Sequence, residues 1–211
     1  MEILLFDRLP STQKFLIDKI YQKIYQAPIA ILTDEQTDGI GSRDNKWTAE
    51  KGNFFLSFAI SLERLPSDLP LESASIYFAY LMKQTLFTMS QEVWLKWPND
   101  LYVGQDKIGG IITKKIEDTL ICGIGINLKN ADNCYRAFPH KILAKELLEK
   151  YFHRVESFPS WKQVFSNFQL EFEQSRAFFV HIKDEKKSLK NAILCEDGSL
   201  IIDERKVFSL R

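Results

Sequence analysis

Residues 93–111 read Val-Trp-Leu-Lys-Trp-Pro-Asn-Asp-Leu-Tyr-Val-Gly-Gln-Asp-Lys-Ile-Gly-Gly-Ile. Two short apolar runs, Val93-Trp94-Leu95 and Leu101-Tyr102-Val103, predict strands on either side of a polar turn. Pro98 fixes its own φ and pushes Trp97 toward an extended backbone. Asn99 and Asp100 then stand at a strand end and present an amide and a carboxylate. Gly104-Gln105-Asp106 turns the chain again, and Lys107 leads into a strand that opens with two glycines. A Gly-Gly pair leaves the face of a strand bare, so a flat ligand can lie on it.

Working outward, residues 108–116 and 119–128 predict an apolar strand pair joined at Glu117-Asp118. Upstream, Ile76, Tyr77, Tyr80, Leu81 and Leu86 recur at helical spacing and predict a helix over 72–89. Phe54, Leu56, Phe58 and Ile60 alternate and predict a strand over 53–62. Two further strands are expected at 2–6 and 28–33, with an amphipathic helix over 12–25 between them. Downstream, helices are expected at 139–153 and 158–175. The tail changes character after residue 176, and Asp197-Gly198 between apolar runs is a hairpin signal. The expected division is a domain over 1–176 and a small all-β module over 177–211.

Composition removes several classes of function. Lys plus Arg is 28 and Asp plus Glu is 28, so no positive excess favours a nucleic-acid backbone. Hydrophobic residues at 45% with charged residues at 27% fit a soluble globular chain. No apolar run approaches the ~18 residues of a membrane span. The start, Met1-Glu2-Ile3-Leu4-Leu5-Phe6-Asp7, lacks the features of a signal peptide. Cys122, Cys134 and Cys195 form no CxxC pair, and His140, His153 and His181 have no metal-ligand spacing. A cytoplasmic protein without an intrinsic metal site is expected.

The positive signals are local. Between 34 and 52 the chain is polar and carries Gln36, Gly39, Ile40, Gly41, Ser42 and Arg43 before Trp47. Glycines allow successive N–H groups to cradle an anion, and an arginine adds a charged donor. A tryptophan in such a loop has no core to join unless the loop closes over something flat. Pro-Asn-Asp is also ordinary turn chemistry, and Lys107 could equally be a solvated turn residue. Gly123-Ile124-Gly125-Ile126-Asn127 holds the first two glycines of a dinucleotide fingerprint but neither the third nor a following helix, which argues against a Rossmann site.

In order, Gly39-Ile40-Gly41-Ser42-Arg43 running to Trp47, Lys-Trp-Pro-Asn-Asp-Leu at 96–101, Lys107 to Ile111, and Gly-Ile-Gly-Ile-Asn at 123–127 resemble the biotin protein ligases. The resemblance covers nearly the whole chain. It implies an α+β fold, a mixed β-sheet catalytic domain flanked by helices, of the class II aminoacyl-tRNA synthetase-like kind. It also implies a small C-terminal SH3-like barrel. The implied activity forms biotinyl-5'-AMP from biotin and ATP with Mg²⁺, then transfers biotin to a lysine of a carboxyl carrier protein of the acetyl-CoA carboxylase type.

The same resemblance implies residue roles. Ser11, Thr12, Gln13, Gln36, Gly39, Ile40, Gly41, Ser42, Lys107 and Gly110 match the biotin site. Arg43, Trp47, Asn99 and Asn127 match positions around the adenylate. Lys107 and Arg43 are the expected catalytic cations, and Asp100 could accept the proton of the acceptor lysine. Gly39 to Arg43 match a loop that orders over the adenylate, and residues 39–52 are expected to be mobile without ligand and ordered with it. Ile40 and Ser42 stand where family loops often carry arginines, so two guanidinium groups are absent. No winged helix precedes residue 1, so no nucleic-acid role is expected, and no membrane partner either. Family members often pair edge to edge, which leaves a homodimer open. Two other readings remain: a lipoate or octanoate ligase or transferase of the same superfamily, and an inactive biotin-binding module.

Overall fold

The computed structural model describes residues 1–41, 46–47, 51–129, 136–182 and 185–209. In chain order its first elements are β1 (Glu2–Phe6), α1 (Thr12–Tyr21), β2 (Ile29–Thr33), β3 (Gly39–Ile40), β4 (Lys46–Trp47) and β5 (Phe54–Ser61). Then come α2 (Ala74–Phe87), β6 (Val93–Lys96), β7 (Asp100–Val103), β8 (Asp106–Ile116) and β9 (Thr119–Ile126). The last are α3 (Ala144–Val155), α4 (Trp161–Ser175), β10 (Phe179–Ile182), β11 (Glu185–Ser188), β12 (Ile193–Leu194), β13 (Leu200–Ile202) and β14 (Arg205–Val207). The main sheet has seven strands in the order β1-β2-β5-β9-β8-β7-β6. Only β1 and β2 run parallel among its pairs, so the sheet is mixed, as expected for this α+β chain.

Period-two alternation sorts the strand residues onto two faces. On β5 and β9 the even-numbered Phe54, Leu56, Phe58, Ile60, Leu120, Cys122, Ile124 and Ile126 enter the main core with α2, α3 and α4. Helix α2 is apolar almost all round and is buried nearly throughout, which such a pattern requires. Phe58 sits at the centre, with ring centroids 5.2 Å from Phe78, 6.2 Å from Tyr151 and 5.6 Å from Phe152. The opposite face is thinner. Leu9, Leu16, Ile29, Ile31, Ala59, Ile116 and Ile121 form a small cluster there.

Three expectations need adjustment. Helix α1 stops at Tyr21 although its apolar spacing continues to Ile24. Lys23 takes φ +57, and the N–H groups of Ile24 and Lys23 bond back to Lys19 O at 2.9 Å and Ile20 O at 3.0 Å. This Schellman closure ends the helix without the usual glycine. Helix α3 begins at Ala144 and not at 139, and the segment before it is tied to the sheet end by Phe138 N donating to Asn127 O at 2.7 Å. Helix α4 begins at Trp161, where Ser160 and Gln163 form a capping box.

The C-terminal module is built of small β-sheets, as expected. Its described residues form a two-stranded sheet, β10-β11, and a three-stranded sheet, β12-β13-β14. Val180, Leu189, Ala192, Leu200 and Ile202 continue the main core across residue 176. The Asp197-Gly198 turn does form, with Gly198 at φ +80. Two indoles hold it: Trp97 Nε1 donates to Gly198 O at 2.9 Å and Trp161 Nε1 to Glu196 O at 2.8 Å. The Lys-Trp-Pro-Asn-Asp turn is thereby anchored to the tail.

Candidate active site

On the thin face of the sheet, small residues replace large ones. The register places Ser57, Gly123 and Ile112 in one row across β5, β9 and β8. Gly125, Gly110 and Asp100 form a second row across β9, β8 and β7. Two residues along a strand separate the rows, roughly 7 Å. The bare glycines leave a cavity of about 260 Å³ above the sheet. A side chain at 123 would run into the Gln13 amide, and a Cβ at 125 would lie 3.0 Å from the Trp47 ring. At 123 a Cβ would displace the Gln13 side chain, and at 125 the Trp47 ring would have to give by a few tenths of an ångström.

The N-terminus of α1 stands over the first row. Ser11 caps the helix, its Oγ accepting from Lys14 N at 3.3 Å. Gln36 Oε1 accepts from Thr12 N at 2.7 Å and from Thr12 Oγ1 at 3.1 Å. Ser57 Oγ lies 2.9 Å from Thr12 Oγ1 and 3.1 Å from Gln13 Oε1, with the hydroxyl donating. Ser11, Thr12, Gln13 and Ser57 are all buried. This end is a wired polar network fixed before any ligand arrives.

The second row carries charge. Lys107 Nζ lies 2.5 Å from Asp100 Oδ1, and Lys96 Nζ lies 3.4 Å from Asp100 Oδ2. Lys107 Nζ is also 5.5 Å from the centre of the Trp47 ring. Trp47 Nε1 is buried with no hydrogen-bond partner among the described residues. Such an orphan donor is costly unless a ligand supplies an acceptor. Tyr102, beneath Lys96, is pushed up to about 12 by burial and then by the Asp100 charge, so its ring stays neutral. Burial pushes the Cys122 thiol up as well, and it faces the core, so it is no nucleophile.

Of the residues singled out in the sequence, Ser11, Thr12, Gln13, Gln36, Ile40, Gly41, Trp47, Asn99, Asp100, Lys107, Gly110 and Asn127 line this one cavity. Gly39 does not. It is paired with Trp47 between β3 and β4, where a Cβ would strike Trp47 O, so it lets the hairpin close behind the site. Asn99 lines the wall, and one of its two amide N–H groups is given to Ile111 O, which braces the turn. Ser42 and Arg43 lie outside the described residues, as do 44–45 and 48–50 of the 39–52 loop. Sequence reasoning missed Ser57, Ile111, Ile112, Gly123, Ile124 and Gly125 as wall residues. The signal was there as two glycines at i and i+2, which share one face of a strand. A wider groove of about 510 Å³ joins the cavity at Gln13, Asn99, Asp100 and Ile112 and runs out past Lys14, Lys114 and His181.

A family model described as Biotin/lipoate A/B protein ligase family matches residues 5–129. The chain belongs to the biotin/lipoate A/B protein ligase family. The matched span contains every residue of the cavity wall. Among curated proteins the chain is similar to biotin--protein ligase 1, chloroplastic, of Arabidopsis thaliana, 30% identical over 173 residues, 72% of this chain and 45% of that protein. It is also similar to the bifunctional ligase/repressor BirA of Escherichia coli K12, 32% identical over 127 residues, 57% of this chain and 38% of that protein. The chain thus spans less than half the length of these curated relatives. A solved structure of biotin acetyl coenzyme A carboxylase synthetase from Helicobacter pylori, with bound biotinylated ATP, is 36% identical with a TM-score of 0.94. That likeness covers 98% of this chain and 99% of the other.

Proposed function

We propose that this protein is a biotin protein ligase. It forms biotinyl-5'-AMP from biotin and ATP and passes the biotinyl group to a lysine of a carboxyl carrier protein. The observation that carries the reading is the pairing of a prewired polar end with the Lys107–Asp100 ion pair in one cavity. The first can hold a ring by its polar edge, and the second stands where a carboxylate and a phosphate must meet. Likeness to the H. pylori synthetase over nearly the full length supports the same reading.

The biotin carboxylate attacks the α-phosphorus of ATP, and pyrophosphate departs with the electron pair of the broken P–O bond. Lys107 leaves Asp100 to follow the charge that gathers on the phosphoryl oxygens, an interaction stronger in the transition state than before it. Trp47 offers its orphan N–H and ring at the edge of Gly125, where an adenine fits. Among the described residues no group of three or more His, Cys, Asp or Glu could hold a metal, and Asp100 is the one carboxylate lining the cavity. Mg²⁺ is therefore read as arriving on the ATP phosphates, with Asp100 as the protein carboxylate within reach. A closed, dry site protects the mixed anhydride from water.

Intact mass of a carboxyl carrier domain after incubation with this protein, ATP, Mg²⁺ and biotin tests the reading. A gain of one biotinyl group is expected. A fixed polar network rejects a ring lacking its partner groups, so lipoate in place of biotin should give little product. A lipoyl gain as large as the biotinyl one would move the protein to the lipoate branch of the family. No gain with either would leave a binding module.

A further inference from the structure

Asp100 is gripped from both sides, and the two cations are not equivalent. Lys96 is buried, its ammonium lies 5.8 Å from the centre of the Tyr102 ring, and its backbone pairs directly with Asp100 across the β6–β7 hairpin. Lys107 is one-third exposed and reaches into the cavity from the edge of a turn. Lys96 is a fixed partner of the carboxylate, and Lys107 is an exchangeable one. While Lys107 sits on Oδ1, its like charge opposes the approach of another ammonium to that oxygen. Once it is drawn to a phosphate, one oxygen is open and the other is still held.

We propose that Lys96 is a positioning residue for the transfer step. It holds Asp100 Oδ2 so that departure of Lys107 leaves Oδ1 aimed at the incoming acceptor ammonium. The proposal rests on the ligase reading above. It orders the two half-reactions: the base is offered only when an adenylate has drawn Lys107 away. The wide groove reaches the cavity beside Asp100, which gives the acceptor side chain its path. The acceptor ammonium gives one proton to Oδ1. Its freed lone pair then forms the N–C bond at the acyl carbon. The acyl C–O bond breaks with its electron pair left on the AMP phosphate oxygen, and the second nitrogen proton leaves to water.

The test uses the full chain with Lys96→Met, which keeps the stem and removes the charge. Enzyme-bound biotinyl-adenylate is offered in single turnover to a carrier-domain lysine or to hydroxylamine, which is unprotonated at neutral pH and needs no base. General-base catalysis contributes typically a hundredfold or more, and misaiming a base forfeits part of that. The ratio of lysine to hydroxylamine transfer should therefore fall about tenfold or more, and Lys96→Arg should recover most of it. Biotin-dependent exchange of pyrophosphate into ATP, run on the same samples, reports that the variant folds and makes adenylate. If Lys96→Met does not fold, Lys96→Gln takes its place with the same expected ratio. An unchanged ratio, with both nucleophiles slowed together or neither slowed, overturns the proposal. Absence of exchange in the wild type overturns the ligase reading and the proposal with it.

Discussion

The two faces of the seven-stranded sheet are made by the same strands with opposite chemistry. On β5 and β9, Phe58 and Cys122 point into an aromatic core while their neighbours Ser57 and Gly123 face the cavity. One face is filled to close packing, and the other is kept bare by glycine. The contrast teaches that a period of two can write stability and ligand binding into one segment with little interference. A residue's parity on the strand, more than its distance along the chain, decides which property a substitution disturbs.

The largest expected effect lies on the packed face. Phe58→Ala removes a fully buried ring that meets three other aromatic rings. Such truncations cost about 3–5 kcal/mol, or about 10 °C in Tm for a chain of this size. Urea denaturation should report that loss, while pyrophosphate exchange per folded molecule stays close to wild type. A collapse of exchange in the folded fraction would break the division between faces.

Gly125→Val probes the bare face. Its new side chain enters the space beside the Trp47 ring. Overpacking costs roughly 1–3 kcal/mol, and here it falls on the ligand. Exchange should drop about tenfold or more with little change in the urea midpoint. Normal exchange in this variant would mean that the floor is not where the nucleotide lies.

Alkali sharpens the comparison with no mutation at all. Burial pushes Tyr80 and Tyr102 up to about 12 from an ordinary 10.0. The fold therefore favours their neutral form, and the unfolded chain ionises first. Stability is fully present below about pH 10 and drains away as pH rises toward 12. Melting temperature followed across that window should fall steadily, and a flat profile would contradict the burial of these rings.

Much of this division can be read from the sequence, and the rest has physical reasons for being hidden. The strands around Lys96 to Asp100 and the Asp197-Gly198 turn carry their own local signals, so they are legible. The end of α1 is not, because Lys23 occupies a left-handed position that normally advertises itself as glycine. That Gly39 also serves the hairpin is hidden too, since its partner Trp47 is known only from the ladder. Ser57 is concealed inside an apolar strand, and its role appears only when Thr12 and Gln13 are brought above it. The grip of Lys96 on Asp100 depends on cross-strand register, which no spacing reveals. The tail's strands are short, and only the folded chain displays that its apolar residues complete the main core.

Lys107 is the residue on which the chemistry of the bare face turns. Among the described residues its ammonium meets Asp100 and the Trp47 ring at the cavity wall. Lys107→Ala, measured by biotin-dependent exchange of pyrophosphate into ATP alongside the urea midpoint, tests the central claim most directly. Loss of a cation that stabilises the transition state should cost on the order of 3 kcal/mol, roughly a hundredfold in exchange, with the midpoint unmoved. Wild-type exchange in the alanine variant, or a loss of exchange matched by a loss of fold, would contradict the account.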